Sequence, residues 1–406
     1  MRENFDAPED IGRWRNIALG VGGLATLAMI VGVLLNTEHR EQMLEQALRS
    51  WLLGFMFWGG LGIGAIGLLL LQYLTGGAWG VVIRRTLEAM SRTWLIVLIL
   101  FLPILFGAGY LYSWMHPAVG DEILKHRAPY LNHVSWGLRA ALYFALWFVM
   151  QYLLNKWSKQ VDDTGDWSLL QKASRFSGPT MVIFVLAVSF AAIDWVMTLD
   201  PHWYSTIFGL LFVVGWSLAC FSFVVVILSW LSDKPPMNRV LGKRHFHDLG
   251  KLMLALTMVW AYFNFSQFLI IWSGNLPEET QWYLTRMQGG WGIIGIGLIL
   301  LHFGFPFLVL LSRDLKRDAK YLAGLGIFVL VMRIIDVYYI IGPAPKLGSH
   351  DVETNFMQSI SWMDFVALAA VGGIWLWWFF GELRKRPLVP INDPFLENAI
   401  AHGKGH

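Results

Sequence analysis

The residues best placed to do chemistry are ionisable or amide side chains lying inside apolar runs. Asp194 interrupts Phe190-Ala191-Ala192-Ile193, Asp200 and His202 follow at the end of the same run, and His302 sits alone in another. Arg333 and Asp336 are three apart, Asn264 and Gln267 share a third run with Ser266, and Arg139 and Asp364 lie near the ends of two more. A charged group in hydrocarbon costs a few kcal/mol or more unless it is paired or hydrated, so such residues mark ion pairs, proton relays or ligand cavities. The three-residue spacing puts Arg333 and Asp336 on one helix face as an ion pair. Asp194 has no local partner. It can pair across helices with Arg139 or Arg333, or carry a raised pKa and exchange a proton, and His302 can titrate near neutrality in the same chain. Asn264, Ser266 and Gln267 also suit interhelical hydrogen bonding. No metal-ligand spacing joins His116, His126, His133, His202 and His350, so no metal site is expected. His302 is alone within the spans, which disfavours a membrane haem b.

These residues must be positioned by membrane helices. The chain has 406 residues, of which 56% are hydrophobic and only 15% charged, against about 25% charged in soluble domains. With a mean hydropathy of +0.52, this composition describes an all-α integral membrane protein. Apolar runs of about 20 residues predict ten transmembrane helices near 17–35, 51–74, 93–112, 136–154, 180–200, 206–231, 251–272, 289–311, 322–341 and 361–381. The chain reads as one polytopic domain, with an arm over 1–16, a ten-helix core over 17–381 and a tail over 382–406. The arm is charged with mixed sign and reads as no signal peptide.

Ten spans place both termini on one side, and 23 of the 31 Lys and Arg residues fall in the segments of that side. The positive-inside rule therefore makes both termini cytoplasmic. Short basic connections, 75–92 and 312–321 among them, read as cytoplasmic anchors, and residues 36–50 as a separate amphipathic helix on the outer interface. The cytoplasmic halves of the spans read as nearly bare of polar groups. Helix 2 (Gly59, Gly60, Gly62, Gly64, Gly67) and helix 8 (Gly289, Gly290, Gly292, Gly295, Gly297) are expected to pack backbone to backbone. No stretch outside the membrane is long enough for a ligand domain, no phosphate-binding glycine loop occurs, and a net charge of +3 suggests no nucleic-acid partner. The single Cys220 cannot hold an iron–sulfur cluster or attach a c-type haem, so any redox role uses centres on another subunit.

Three segments together resemble one family. They are Asp194-Trp195-Val196-Met197-Thr198-Leu199-Asp200-Pro201-His202-Trp203-Tyr204; His247-Asp248-Leu249-Gly250-Lys251 leading into Trp260-Ala261-Tyr262-Phe263-Asn264-Phe265-Ser266-Gln267; and Arg333-Ile334-Ile335-Asp336-Val337-Tyr338-Tyr339 with Pro343. They are similar to the large polytopic subunits of bacterial alternative complex III, the quinol:cytochrome c or periplasmic-acceptor oxidoreductase, more nearly the smaller of its two. They also resemble membrane subunits of polysulfide- and nitrite-reductase-type complexes. The resemblance implies two four-helix bundles, helices 2–5 and 6–9, flanked by helices 1 and 10, in a bacterial cytoplasmic membrane. It implies partners: a larger homologous membrane subunit, a multihaem cytochrome c subunit and an iron–sulfur subunit. It also implies menaquinol or ubiquinol as the quinol, with no cofactor bound covalently to this chain. On this reading Asp194, Asp200, His202, Asn264, Gln267, His302, Arg333 and Asp336 form a proton-conducting or quinone-related constellation, with Arg139 and Asp364 as charge partners. A secondary transporter that binds its coupling ion with the same charges is the alternative, and it requires broken helices at mid-depth in corresponding places of two halves. A structural scaffold, whose charges only set helix register, is a third reading.

Overall fold

The computed structural model describes residues 5–36, 38–117, 120–347 and 355–404. His350 and the first four residues of the arm lie outside them. Among the described residues, nine helices are long and apolar enough to cross a membrane. They are α1 (Asp10–Leu35), α2 (Arg40–Thr75), α5 (His133–Thr164), α6 (Ser168–Leu199, with a 3₁₀ last turn), α7 (Phe208–Ser232), α8 (Lys243–Gly274), α10 (Trp291–Leu311), α11 (Ala319–Ile341) and α12 (Trp362–Leu383). The expected third span differs. Trp94–Phe106 (α4) has 13 residues, about 20 Å at 1.5 Å per residue, too short to cross alone. It passes as a span only together with α3 (Ala78–Ser91), from which it bends by 41°. A short α9 (Pro277–Met287) and a C-terminal α13 (Leu396–Lys404) complete the numbered set.

Two expectations are corrected here. Residues 40–50 do not form a separate interfacial helix, because α2 runs unbroken for 36 residues, about 54 Å. Its first turns are held in place by buried groups: Arg49 pairs with Glu45 at 3.1 Å and donates to the carbonyls of Ala344, at 2.9 Å, and Pro345. Segment 75–92 is not an exposed basic loop either. Every residue of α3 from Gly80 to Ser91 is buried.

The buried α2 is the centre of the packing, lying against α3, α4, α6, α7 and α12. The paired helices α1 and α12 form an outer layer on it, and α7 joins this group to α8 and α11. The glycines of α2 permit the central contact as expected: a Cβ on Gly64 would come within 2.7 Å of the Trp216 carbonyl oxygen, and Trp216 Nε1 donates to the Met56 carbonyl at 2.7 Å. Of the expected glycines in α10 only Gly292 meets backbone, the Met287 carbonyl oxygen of the preceding short helix at 3.0 Å from a Cβ position. Gly297 has nothing within 4 Å of a Cβ position, and Gly295 meets only the Tyr339 side chain.

The first and last described segments meet on one face. Leu388 N donates to the Phe5 carbonyl at 2.8 Å, Lys234 pairs with Asp10, and His402 bonds Asp248 at 2.8 Å. We call this the terminal face.

Candidate functional site

The expected constellation separates into several places. Asp194, fully buried near the end of α6, pairs with Arg139 of α5 and not with Arg333. Arg139 Nε donates to Oδ2 at 2.8 Å and Nη2 to Oδ1 at 3.0 Å, while Tyr143 Oη donates to Oδ2 at 2.8 Å. The guanidinium also lies over the Tyr130 ring, 3.7 Å from its centroid. Both carboxylate oxygens are satisfied by this fork. Tyr143 was missed in the sequence, although its position four residues after Arg139 puts both on one helix face.

Arg333 and Asp336 of α11 form the second place. They pair with each other, and Trp260 Nε1 of α8 donates to Asp336 Oδ2 at 3.1 Å. The Trp260 ring also carries His302, with ring centroids 4.0 Å apart. His302 belongs to a π-helical turn of α10, Leu298–Gly304, a feature frequent at functional sites. Its ring is fully buried, and among the described residues neither nitrogen has a hydrogen-bond partner; Arg333 Nε and Nη2 likewise have none there. Gly215 of α7 leaves the space for the guanidinium, where a Cβ would collide with it. Four buried nitrogens without partners in one cluster are unusual, since buried polar groups are normally satisfied by protein or water. The cluster has the chemistry to hold water molecules or a ligand oxygen and to pass a proton between His302 and Asp336.

The remaining expected residues do not join either place. Asn264 donates to the Trp260 carbonyl of its own helix at 2.9 Å. Gln267 accepts from Ser205 at 3.0 Å and donates to Tyr283 at 3.2 Å, tying α8 to the loop before α7 and to α9. His202 is half exposed and bonds Asp121 Oδ2 at 2.8 Å. The Leu124 backbone N–H, with His202 adding to it, holds the Asp121 carboxyl below the usual range, whereas burial pushes that of Asp200 up against the opposing charge of Arg286. Asp364 is not a partner of Arg139 or Arg333. It caps α12, accepting from the Ser361 N–H at 2.9 Å and from Ser50 Oγ at 2.6 Å. Among the described residues no group of three or more His, Cys, Asp or Glu side chains could hold a metal ion.

The half of the molecule toward the terminal face is not bare. Buried Arg85 and Glu88 of α3 and buried Glu382 of α12 form one ion-pair network with half-buried Arg92 just beyond α3, Asp162 of α5 and Arg386 of the tail, and beside it buried Arg84 of α3 pairs with buried Asp393 of the tail. Ser158 donates to Glu88, and Arg92 Nη1 to Asn155 Oδ1 at 2.7 Å. Across these pairs four arginines meet four carboxylates, with the exposed Lys385 also on Glu382 at 2.5 Å, which suits a latch between helices better than a site for a charged ligand. The sequence carried one signal of it: Arg85, Glu88 and Arg92, spaced by three and four, share a helix face.

Fold and sites together define a multi-pass helical membrane protein with buried ion pairs among its apolar helices. Compared with known protein families and with curated proteins, the chain matches none.

Proposed function

We propose that the chain is a membrane subunit, without a redox metal of its own, of a quinol-oxidising electron-transfer complex of the alternative complex III type. It contributes a proton path, a quinone-type cavity, or both. Its bent pair α3 and α4 is the tenth span. The spans form two four-helix bundles flanked by α1 and α12, and both termini face the cytoplasm of a bacterial cell. The observation that carries the reading is the cluster of His302, Trp260, Arg333 and Asp336, with four unpartnered nitrogens inside a π-helical turn and its neighbours. Quinol oxidation yields two electrons and two protons. The electrons leave for haem c and iron–sulfur centres on the partner subunits. Asp336 and His302 take up and pass protons, and Arg333 sets the charge at which they do so. Asp194, locked by Arg139 and Tyr143, serves as a fixed charge near the periplasmic end.

The transporter reading has less support. Among the described residues, one helix pair that together could form a span is bent by more than 40° at a short break, and that break lies between Ser91 and Trp94. Arg92 there bonds Glu382 in the last turn of α12, at the edge of the bundle and not at mid-depth.

The test is purification of the chain from its native membrane in mild detergent. A complex with c-type haem, iron–sulfur signals and quinol oxidation supports the proposal, and a haem-free oligomer of this chain alone overturns it. Within such a complex, Asp336→Asn should leave assembly intact and lower proton release per quinol. An unchanged ratio removes Asp336 from the path.

A further inference from the structure

We propose that the groove between the end of α10 and the start of α11 is a binding site for an anionic phospholipid, with an acyl chain in the groove and the phosphate on Lys316. The groove encloses about 480 Å³ and is lined almost wholly by apolar side chains. Its floor is Phe305 against Phe328, with ring centroids 5.0 Å apart, and Lys316, Lys320 and Tyr321 stand at its mouth on the terminal face.

Lys316 is what distinguishes this groove from the general lipid surface. It is only 8% exposed, its stem packs on Gly250, where a Cβ would lie 2.6 Å from Lys316 Cγ, and no carboxylate or hydrogen-bond acceptor partners it among the described residues. The other charges around it are mostly of like sign. Burial and the neighbouring Lys251 both push its ammonium below the usual range, and the nearby Arg317 has a buried Nε without a partner. Lys251 itself is engaged by Asp248 at 3.2 Å, Lys320 Nζ pairs with Asp233 at 3.9 Å with both side chains exposed, and the Asp318 carboxylate is used in capping α11, accepting from the Lys320 N–H at 2.9 Å. With the stem packed and the ammonium facing the mouth without a counter-ion, a phosphate oxygen there would supply one by a charge-assisted hydrogen bond. A phosphodiester on two fatty chains matches both halves of the site, which free phosphate does not. Gly324 keeps the groove open. It faces the groove with nothing within 4 Å of a Cβ position.

The experiment is native mass spectrometry of the detergent-purified protein titrated with phosphatidylglycerol or phosphatidylcholine. The wild type should retain one phosphatidylglycerol in preference to phosphatidylcholine, and millimolar inorganic phosphate should not displace it. Lys316→Gln should weaken phosphatidylglycerol about fivefold, the size expected for one basic residue at an anionic lipid surface, and leave phosphatidylcholine unchanged. Gly324→Leu, whose Cβ has nothing within 4 Å, puts a side chain into the groove and should weaken both lipids. Equal binding of the two lipids, displacement by inorganic phosphate, or wild-type titration of both variants would overturn the assignment. So would a partner protein's helix found in the groove. If Lys316→Gln does not fold, Gly324→Leu and Lys320→Gln carry the same test. The outcome is independent of whether the complex oxidises quinol.

Discussion

The Arg333–Asp336 pair gives the sharpest prediction. Arg333 has a side-chain exposure of 1% and Asp336 of 4%, so both are closed off from bulk water. Asp336→Leu removes the acceptor of Arg333 Nη1 and of Trp260 Nε1, adding to the two arginine nitrogens already without partners. Each newly unsatisfied buried donor costs about 1–3 kcal/mol, and loss of one partner of a buried ion pair about 3–5 kcal/mol. The two estimates agree, and we expect a destabilisation of about 3–5 kcal/mol. The double variant Arg333→Met/Asp336→Leu leaves no uncompensated charge and should lie within about 1–2 kcal/mol of the wild type, since apolar replacement of both members is often neutral or better. Reversible SDS titration in mixed micelles, read by tryptophan fluorescence, would measure both. If Asp336→Leu costs less than about 1 kcal/mol, the site is hydrated and the charge is not confined. If the double variant is as unstable as Asp336→Leu, neutralisation is not what the pair provides.

Further outcomes follow from other contacts. Arg139→Met strands the fully buried Asp194 and should destabilise by a similar 3–5 kcal/mol, while Arg139→Lys, which keeps the charge and loses the fork, should cost less in the same titration. Gly373→Ala sets a methyl group against the Gly22 backbone where α1 crosses α12; it should loosen α1, seen as faster proteolysis within residues 5–36, whereas Gly20→Ala, with nothing within 4 Å, should not. Asp393→Asn weakens the partner of buried Arg84 and should raise amide exchange in α13 and the start of α3, with little change in α11.

The sequence by itself was enough for the class and for the short list of intramembrane charges, because hydrocarbon enforces long apolar runs and makes every polar exception conspicuous. Nine of the runs became helices near their expected places, and the i,i+3 pairing of Arg333 with Asp336 needed only helix geometry. What it could not yield were partners distant in the chain. Asp194 had two candidate arginines, and only the packing of α5 on α6 chose Arg139. Asp364 read as a charge partner of the constellation and is a helix cap. Residues 75–92 counted as a basic loop by their charge, yet α3 is buried because Asp162, Glu382 and Asp393, from three other segments, neutralise it. The terminal-face network and the His302 cluster are each assembled from residues dozens to hundreds of positions apart. Hydropathy is a local property and is legible along the chain; the compensation of a buried charge is a property of neighbours in space, and only the tertiary structure supplies them.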